Sequence, residues 1–331
     1  MHLLVLQSFG KESEYRRALL TILSFWAWYS GPAERVRTVL FTDQPEFFKP
    51  LVGDLPVEYV QLTPEKIKVM RGGIDFLHRM KIAVIEEAFH LHPGADILYV
   101  DSDTFFTRDA LTWMESFRPG RSFMHLLEYQ FGECRDMPLP AGETFRAYLN
   151  YLENNKLHTS KGEEQFGAHS ESWNAGVMGL PAKASAWISD VYAITEQSYP
   201  STLNHASEQY AFSLVLKTRS ELLPCDQYVY HYWYRVKKQI VDLLLAEAFS
   251  GDFQRVPLAD KLQLAKQLTQ QLPETFEHHI LMLRDNAVQA FTDNRFTEGY
   301  RHAFRALSKS PFNPQFIKDV LYHAKRHLAS S

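Results

Sequence analysis

Two carboxylates one residue apart, Asp101 and Asp103, stand directly after an unbroken apolar run, Ile97-Leu98-Tyr99-Val100. A run of that length without polar alternation reads as a strand buried on both faces, as in a parallel sheet. If extended backbone continues through Ser102, the two Asp side chains leave the chain on the same side. Like charges held together repel unless a proton or a cation sits between them. At the carboxyl end of an internal strand, where open α/β sheets place their sites, a divalent cation is the natural occupant. The alternative is an Asp-rich turn closing a strand, for which Asp and Ser are ordinary residues.

Other residues able to do chemistry are spread along the chain. Arg79 and Lys81 lie near the start of a segment with helical period, residues 76–89, where free amide groups and the helix dipole favour anions. A solvated polar face is the plainer reading of that pair. Asn174-Ala175-Gly176 opens an apolar run; small residues there admit a ligand close to the backbone, and Asn offers both a donor and an acceptor. A strand-entry turn would look the same. Glu208-Gln209 stands at a helix start, with Ser207 as a candidate N-cap. His231 lies in an aromatic run just ahead of Arg235, Lys237 and Lys238, where a polyanion could be clamped; a lone His among aromatics is otherwise a core residue.

A scaffold must gather these positions. Residues 3–6 read as a strand, 7–11 as a loop and 12–29 as a helix with apolar positions Tyr15, Leu19, Leu20, Ile22, Leu23 and Trp26. Gly31-Pro32 stops that helix. Residues 37–42 and 57–60 form two more strands. Strand, helix and strand in this order predict parallel pairing and a doubly wound α/β fold with a mostly parallel central sheet. The first loop lacks the three spaced glycines of a dinucleotide fingerprint, which disfavours a nicotinamide cofactor. Residues 123–127 suit a strand, Pro138 and Pro140 a long loop, and 145–157 and 210–216 helices. From about Ile240 the pattern is helical, punctuated by Pro257, Pro273, Pro311 and Pro314. Residues 296–310 and 316–328 form a helical pair similar to half of a tetratricopeptide-like unit, with no second copy. The expected division is a catalytic domain over 1–240 and a helical region over 241–331 for packing or partner contacts.

Composition narrows the class. Apolar residues make up 45% and aromatics 14% of 331 residues, enough for a sizeable core and against disorder. A net charge of -4, from 35 basic and 39 acidic residues, gives no signal for nucleic acid. Two cysteines, Cys134 and Cys225, make neither a disulfide framework nor a thiolate metal site. No apolar run is long enough to span a membrane, and the start of the chain lacks a signal-peptide pattern. A soluble, cytoplasmic enzyme is the expectation.

Taken together and in order, these elements resemble the GT-A-fold, metal-dependent glycosyltransferases that use nucleotide-activated sugars. The matching set runs from the first strand and loop through Arg79-Met80-Lys81, Leu98 to Thr104, Trp173 to Val177 and Glu208-Gln209 to His231. The likeness covers roughly residues 1–240, and the ordered set is far more specific than Asp-x-Asp alone. It implies that Asp103 and His231, with Asp101 directly or through water, bind Mn2+ or Mg2+. It implies that Gln7, Ser8, Thr42, Asp43 and Ser102 hold the nucleoside side of a donor, UDP-sugar foremost. Arg79, Lys81, Arg235, Lys237 and Lys238 would stabilise the diphosphate, and Asn174, Gly176, Glu208 and Gln209 would line the sugar and acceptor. The acceptor would be a glycan, a lipid-linked saccharide or a small molecule; with a lipid-linked one, Trp233, Tyr234 and the nearby lysines would touch a membrane surface, core packing being the plainer reading.

Glu208-Gln209 is similar to the Asp-Gln pair of retaining galactosyl- and glucosyltransferases, so retention is expected; Glu163-Glu164 is the pair that could supply an inverting base. Retaining families often follow the late His with Gly and Lys-Pro, whereas Tyr232-Trp233-Tyr234-Arg235 follows it here. Two competing readings stand beside this one. A haloacid-dehalogenase-like phosphatase would use Asp101 as nucleophile, although its motif normally lies near the chain start. A catalytically inactive scaffold would act through its C-terminal helices.

Overall fold

The computed structural model describes residues 1–137 and 142–330; the loop expected at Pro138 and Pro140 lies outside the described residues. The chain divides into two compact units, residues 1–231 with 252–265, and residues 232–251 with 266–331.

The first unit opens with β1 (His2–Ser8), α1 (Glu12–Trp28), β2 (Val36–Thr42), α2 (Pro45–Val52), β3 (Val57–Gln61), α3 (Pro64–Arg71) and α4 (Arg79–Leu91). Next come β4 (Asp96–Val100), β5 (Thr104–Phe106), α5 (Leu111–Glu115), β6 (Arg121–Met124) and β7 (Leu127–Gln130). After α6 (Glu143–Asn154) come β8 (Leu157–Thr159), β9 (Gly162–Glu164), β10 (Glu171–Trp173) and β11 (Val177–Leu180). Then follow α7 (Ile188–Thr202), α8 (Ser207–Arg219), β12 (Glu221–Pro224) and β13 (Val229–His231).

Seven strands form one sheet in the order β12-β6-β11-β4-β1-β2-β3, and β11 alone runs against its neighbours. The doubly wound, mostly parallel α/β expectation therefore describes the molecule. Both faces of the central strands are covered, which is why they read as continuous apolar runs. Leu3, Val5, Val39, Phe41, Ile97 and Tyr99 join the core under α4, α7 and α8. Leu4, Leu6, Leu40, Leu98 and Val100 are equally buried on the other face, where α1 packs.

Three local expectations change. The strand expected over 123–127 is two strands: β6 ends at Met124 in the large sheet, and β7 starts at Leu127 and pairs with β10. Ser207 does not cap α8; it is the first helical residue, and its hydroxyl donates to Asn204 O at 2.7 Å. The helix expected from residue 76 begins at Arg79, after a turn carrying Asp75 at φ 48°.

The second unit is helical: α9 (Arg235–Ala248), the later part of α10 (Leu258–His278), α11 (Ile280–Thr292), α12 (Phe296–Lys309) and α13 (Pro314–Ser330). Leu283, Ala287, Phe291, Ala303, Ala306 and Phe316 make its core. Gly299 lets α12 close onto α11, since a Cβ there would lie 2.4 Å from the Phe291 ring. Among the described residues no helix is long and apolar enough to cross a membrane.

Candidate metal centre

Asp101, Asp103 and His231 each offer a ligand atom, and the three atoms lie within 4.8 Å of one another. The route to this meeting differs from an extended Asp-Ser-Asp. β4 ends at Val100, Ser102 and Asp103 form a turn, and β5 resumes at Thr104. The turn is pinned by Thr104 Oγ1, which donates to Asp101 O at 2.8 Å, and by Thr21 of α1, which donates to Thr104 O at 2.8 Å. β13 then pairs antiparallel with β5, placing His231 opposite Thr104 and next to Asp103. His231 Nε2 lies 3.3 Å from Asp103 Oδ1.

The residue opposite the imidazole is Gly176. A Cβ there would lie 2.0 Å from His231 Cε1, so only glycine leaves room for the ring. Asn174 sets the ring's proton. Its Oδ1 lies 2.8 Å from His231 Nδ1 and also accepts from Gly176 N at 3.0 Å, while its Nδ2 donates to Glu128 Oε1 at 2.9 Å. With the amide oriented this way, Nδ1 carries hydrogen, and in the neutral ring Nε2 presents a lone pair to the Asp103 carboxylate. Two lone pairs at that distance need a proton or a metal ion between them, and an imidazole fixed through its second nitrogen is the usual arrangement of a metal-ligating His. Three carboxylates, Asp101, Asp103 and Glu208, also gather around one ammonium, Lys81. Their formal excess of two negative charges is what a divalent ion balances. The donor set, two carboxylates and an imidazole, fits a divalent metal ion.

Lys81 and Arg79 part company here. Two residues apart on α4, they face different directions. Lys81 is buried and donates to Asp101 Oδ2 and Ala175 O, both at 3.1 Å, with Glu208 Oε1 at 3.4 Å. Burial alone would lower its pKa; Asp101, Glu208 and Asp103 outweigh that and raise it. An ammonium with three acceptors has no N–H left for a phosphate, so Lys81 braces two carboxylates instead. Arg79 turns outward, to Glu196 and Met70 O at 2.7 Å each and over the Tyr192 ring.

Asp101 has both oxygens engaged, Oδ2 by Lys81 and Oδ1 by Tyr99 OH at 2.7 Å. Burial, then the Asp101 charge, pushes the Tyr99 phenol well above its usual pKa, so it remains a donor. A carboxylate held this way is poorly placed as a phosphatase nucleophile.

Gln209 spans the site. Its Oε1 accepts from Ala175 N at 3.2 Å, and its Nε2 donates to Glu128 Oε2 at 2.8 Å. Glu208 is buried, with Oε2 lacking a hydrogen-bond partner among the described residues. Glu128 escapes sequence reasoning: it sits in the short strand β7, and its partners Asn174 and Gln209 lie 46 and 81 residues away. Ser102 donates to Glu14 Oε2 at 3.1 Å.

The remaining predicted positions cluster at the ends of β1 and β2, where Ser8 pairs with Thr42. Gln7 Nε2 reaches Tyr99 OH at 3.5 Å, and Thr42 Oγ1 accepts from Gln44 N. Asp43 accepts from Gly10 N at 3.1 Å and Tyr15 OH at 2.9 Å, so it shapes the first loop. Arg235, Lys237 and Lys238 lie on α9 of the second unit. Glu163 and Glu164 lie on β9, paired with Lys156 and Arg219 respectively.

No protein-family model matches the chain, and no curated protein matches it. Among solved structures, apo mouse xyloside xylosyltransferase 1 aligns over 68% of this chain and 85% of its own, at 14% identity and a TM-score of 0.41. The galactosyltransferase LgtC, in complex with donor and acceptor sugar analogs, aligns over 81% of this chain and 96% of its own, at 11% identity and a TM-score of 0.47. Both are glycosyltransferases to which this chain is similar.

Proposed function

We propose that the chain is a GT-A-type glycosyltransferase that moves a hexose from a nucleotide-diphosphate sugar, UDP-sugar foremost, to an acceptor hydroxyl with retention. The observation that carries this reading is the meeting of Asp101, Asp103 and His231 at the carboxyl end of β4, tied through Lys81 and Asn174 to Glu208, Glu128 and Gln209. Mn2+ or Mg2+ bound there would supply Lewis-acid stabilisation of the leaving nucleoside diphosphate. The protein's own groups do the rest. Asn174 holds the proton on His231 Nδ1, Lys81 and Tyr99 fix the Asp101 carboxylate, and Glu128 locks the amides of Asn174 and Gln209. Glu208 and Gln209 line the sugar side. The bond from the anomeric carbon to the diphosphate breaks, with its electron pair leaving on the phosphate oxygen. The acceptor oxygen bonds to the anomeric carbon on the same face, and its proton passes to that phosphate oxygen.

A glycan or lipid-linked acceptor fits this reading. A cytoplasmic enzyme could then touch the membrane surface through Trp233 and Tyr234, both exposed.

The test is calorimetric titration of UDP into the protein with Mn2+ and with excess chelator. Binding that needs the metal and is lost in Asp103→Ala is expected. No binding of UDP, GDP or other nucleotides in either condition would remove the transferase reading.

A further inference from the structure

The helical unit has a cleft of its own. α9, α11 and the start of α13 enclose about 590 Å³, within the roughly 300–1,000 Å³ usual for small-ligand sites. Both acids in its wall are already engaged: Asp285 accepts from Tyr234 OH, and Asp319 accepts from Gln315 Nε2 at 3.0 Å. Its two guanidinium groups are not. Among the described residues, neither Arg235 nor Arg284 has a carboxylate within ion-pair distance. Arg284 lies over the Phe316 ring at 5.7 Å, and its Nε is buried with no hydrogen-bond partner. Much of the other polar lining is amide, from Gln239 and Gln289, with Leu281 and Val288 as apolar wall. Amides place a donor beside an acceptor, which suits neighbouring hydroxyls. Guanidinium groups suit a carboxylate or phosphate, which they bind with two parallel hydrogen bonds.

We propose that this cleft binds an anionic sugar, a hexose-sized ring bearing a phosphate or carboxylate. Arg235 and Arg284 take the anion, the glutamine amides take ring hydroxyls, and Phe316 with the apolar wall takes the ring's carbon face. The site does not depend on the transferase reading, since the cleft holds such a sugar whether or not the carboxylate centre acts on it.

Saturation-transfer NMR and calorimetry on the full chain, in excess chelator without nucleotide, test this with glucose 1-phosphate, glucuronic acid, glucose and inorganic phosphate. Binding of one or both anionic sugars is expected, and which of them binds identifies the anion. Arg284→Gln and Arg235→Gln should each weaken that binding at least tenfold, while Asp103→Asn leaves it unchanged. Arg235 is exposed, so its variant answers the question even if Arg284→Gln disturbs the core. The proposal is overturned if neither anionic sugar binds, or if glucose or phosphate alone binds as tightly. It is also overturned if Asp103→Asn abolishes binding that both arginine variants keep.

Discussion

At the residue scale, the site depends on a missing side chain. Gly176 gives His231 its place, and Asn174 gives the ring its orientation. A methyl group at Gly176 must push the imidazole away from Asp103. Gly176→Ala is therefore expected to weaken Mn2+ binding about 10–100-fold, the range seen when groups supporting a ligand are lost. Paramagnetic resonance titration of Mn2+ measures this, and unchanged affinity would place the metal elsewhere. Lys81 has a different liability. Lys81→Met would leave the buried Glu208 and the half-buried Asp101 without their counter-charge and cost about 3–5 kcal/mol of stability. Urea denaturation checks this without added metal, and a loss under about 1 kcal/mol would mean the carboxylates find other partners. The Asp-x-Asp pair is legible in the sequence because two carboxylates after an apolar run have few bland explanations. Lys81 and Arg79 look alike in sequence, since period alone does not say which of two cations on one helix turns inward. Glu128 is illegible for a simpler reason: nothing near it in the chain marks it.

At the element scale, β8 and β9 form a hairpin held to α7 and α8 by a buried charge cluster. Arg219 donates to Glu164 Oε1 at 2.8 Å and to Asp190 Oδ2 at 3.1 Å, and Asp190 also accepts from Ser160 N at 2.7 Å. The hydrogen bond from Arg219 holds the Glu164 carboxyl below its ordinary value of 4.5. A depressed carboxylate adds stability that is complete above its ordinary range and is lost as pH falls through the depressed value. The gap in denaturation midpoint between wild type and Arg219→Gln should thus be widest near neutrality and close in acid below 4.5. A gap that widens in acid would contradict the assignment. The strands around the site were readable as apolar runs because both faces are buried. The reversal of β11 was not, since a run opened by Asn-Ala-Gly looks the same in either direction. The break at Ser102 was equally hidden, being imposed by Thr21 and Thr104 from outside the motif.

At the scale of the whole molecule, two units with separate cores should not unfold as one. Calorimetry is expected to show a van't Hoff enthalpy below the calorimetric one. Mn2+ with UDP at about 100 times its dissociation constant should stabilise the first unit by about 2.7 kcal/mol and leave the second transition in place. A single transition shifted as a whole would mean the units are one cooperative body. The helical character after residue 240 is plain from periodicity. That residues 252–265 group with the first unit is not, because it depends on contacts such as the buried Lys261 ammonium donating to Pro50 O.

The antiparallel pairing of β13 with β5 has a consequence for the chain as it is made. Asp101 and Asp103 leave the ribosome about 130 residues before His231. At roughly 5–20 residues per second, that is an interval of about 6–26 s. Through that interval β4 can form and the carboxylates can gather, but the imidazole that completes the centre does not yet exist. On the proposed reading, metal capture is therefore a late event in the life of the nascent chain, and a ribosome stalled before His231 should hold the ion more weakly than the finished chain.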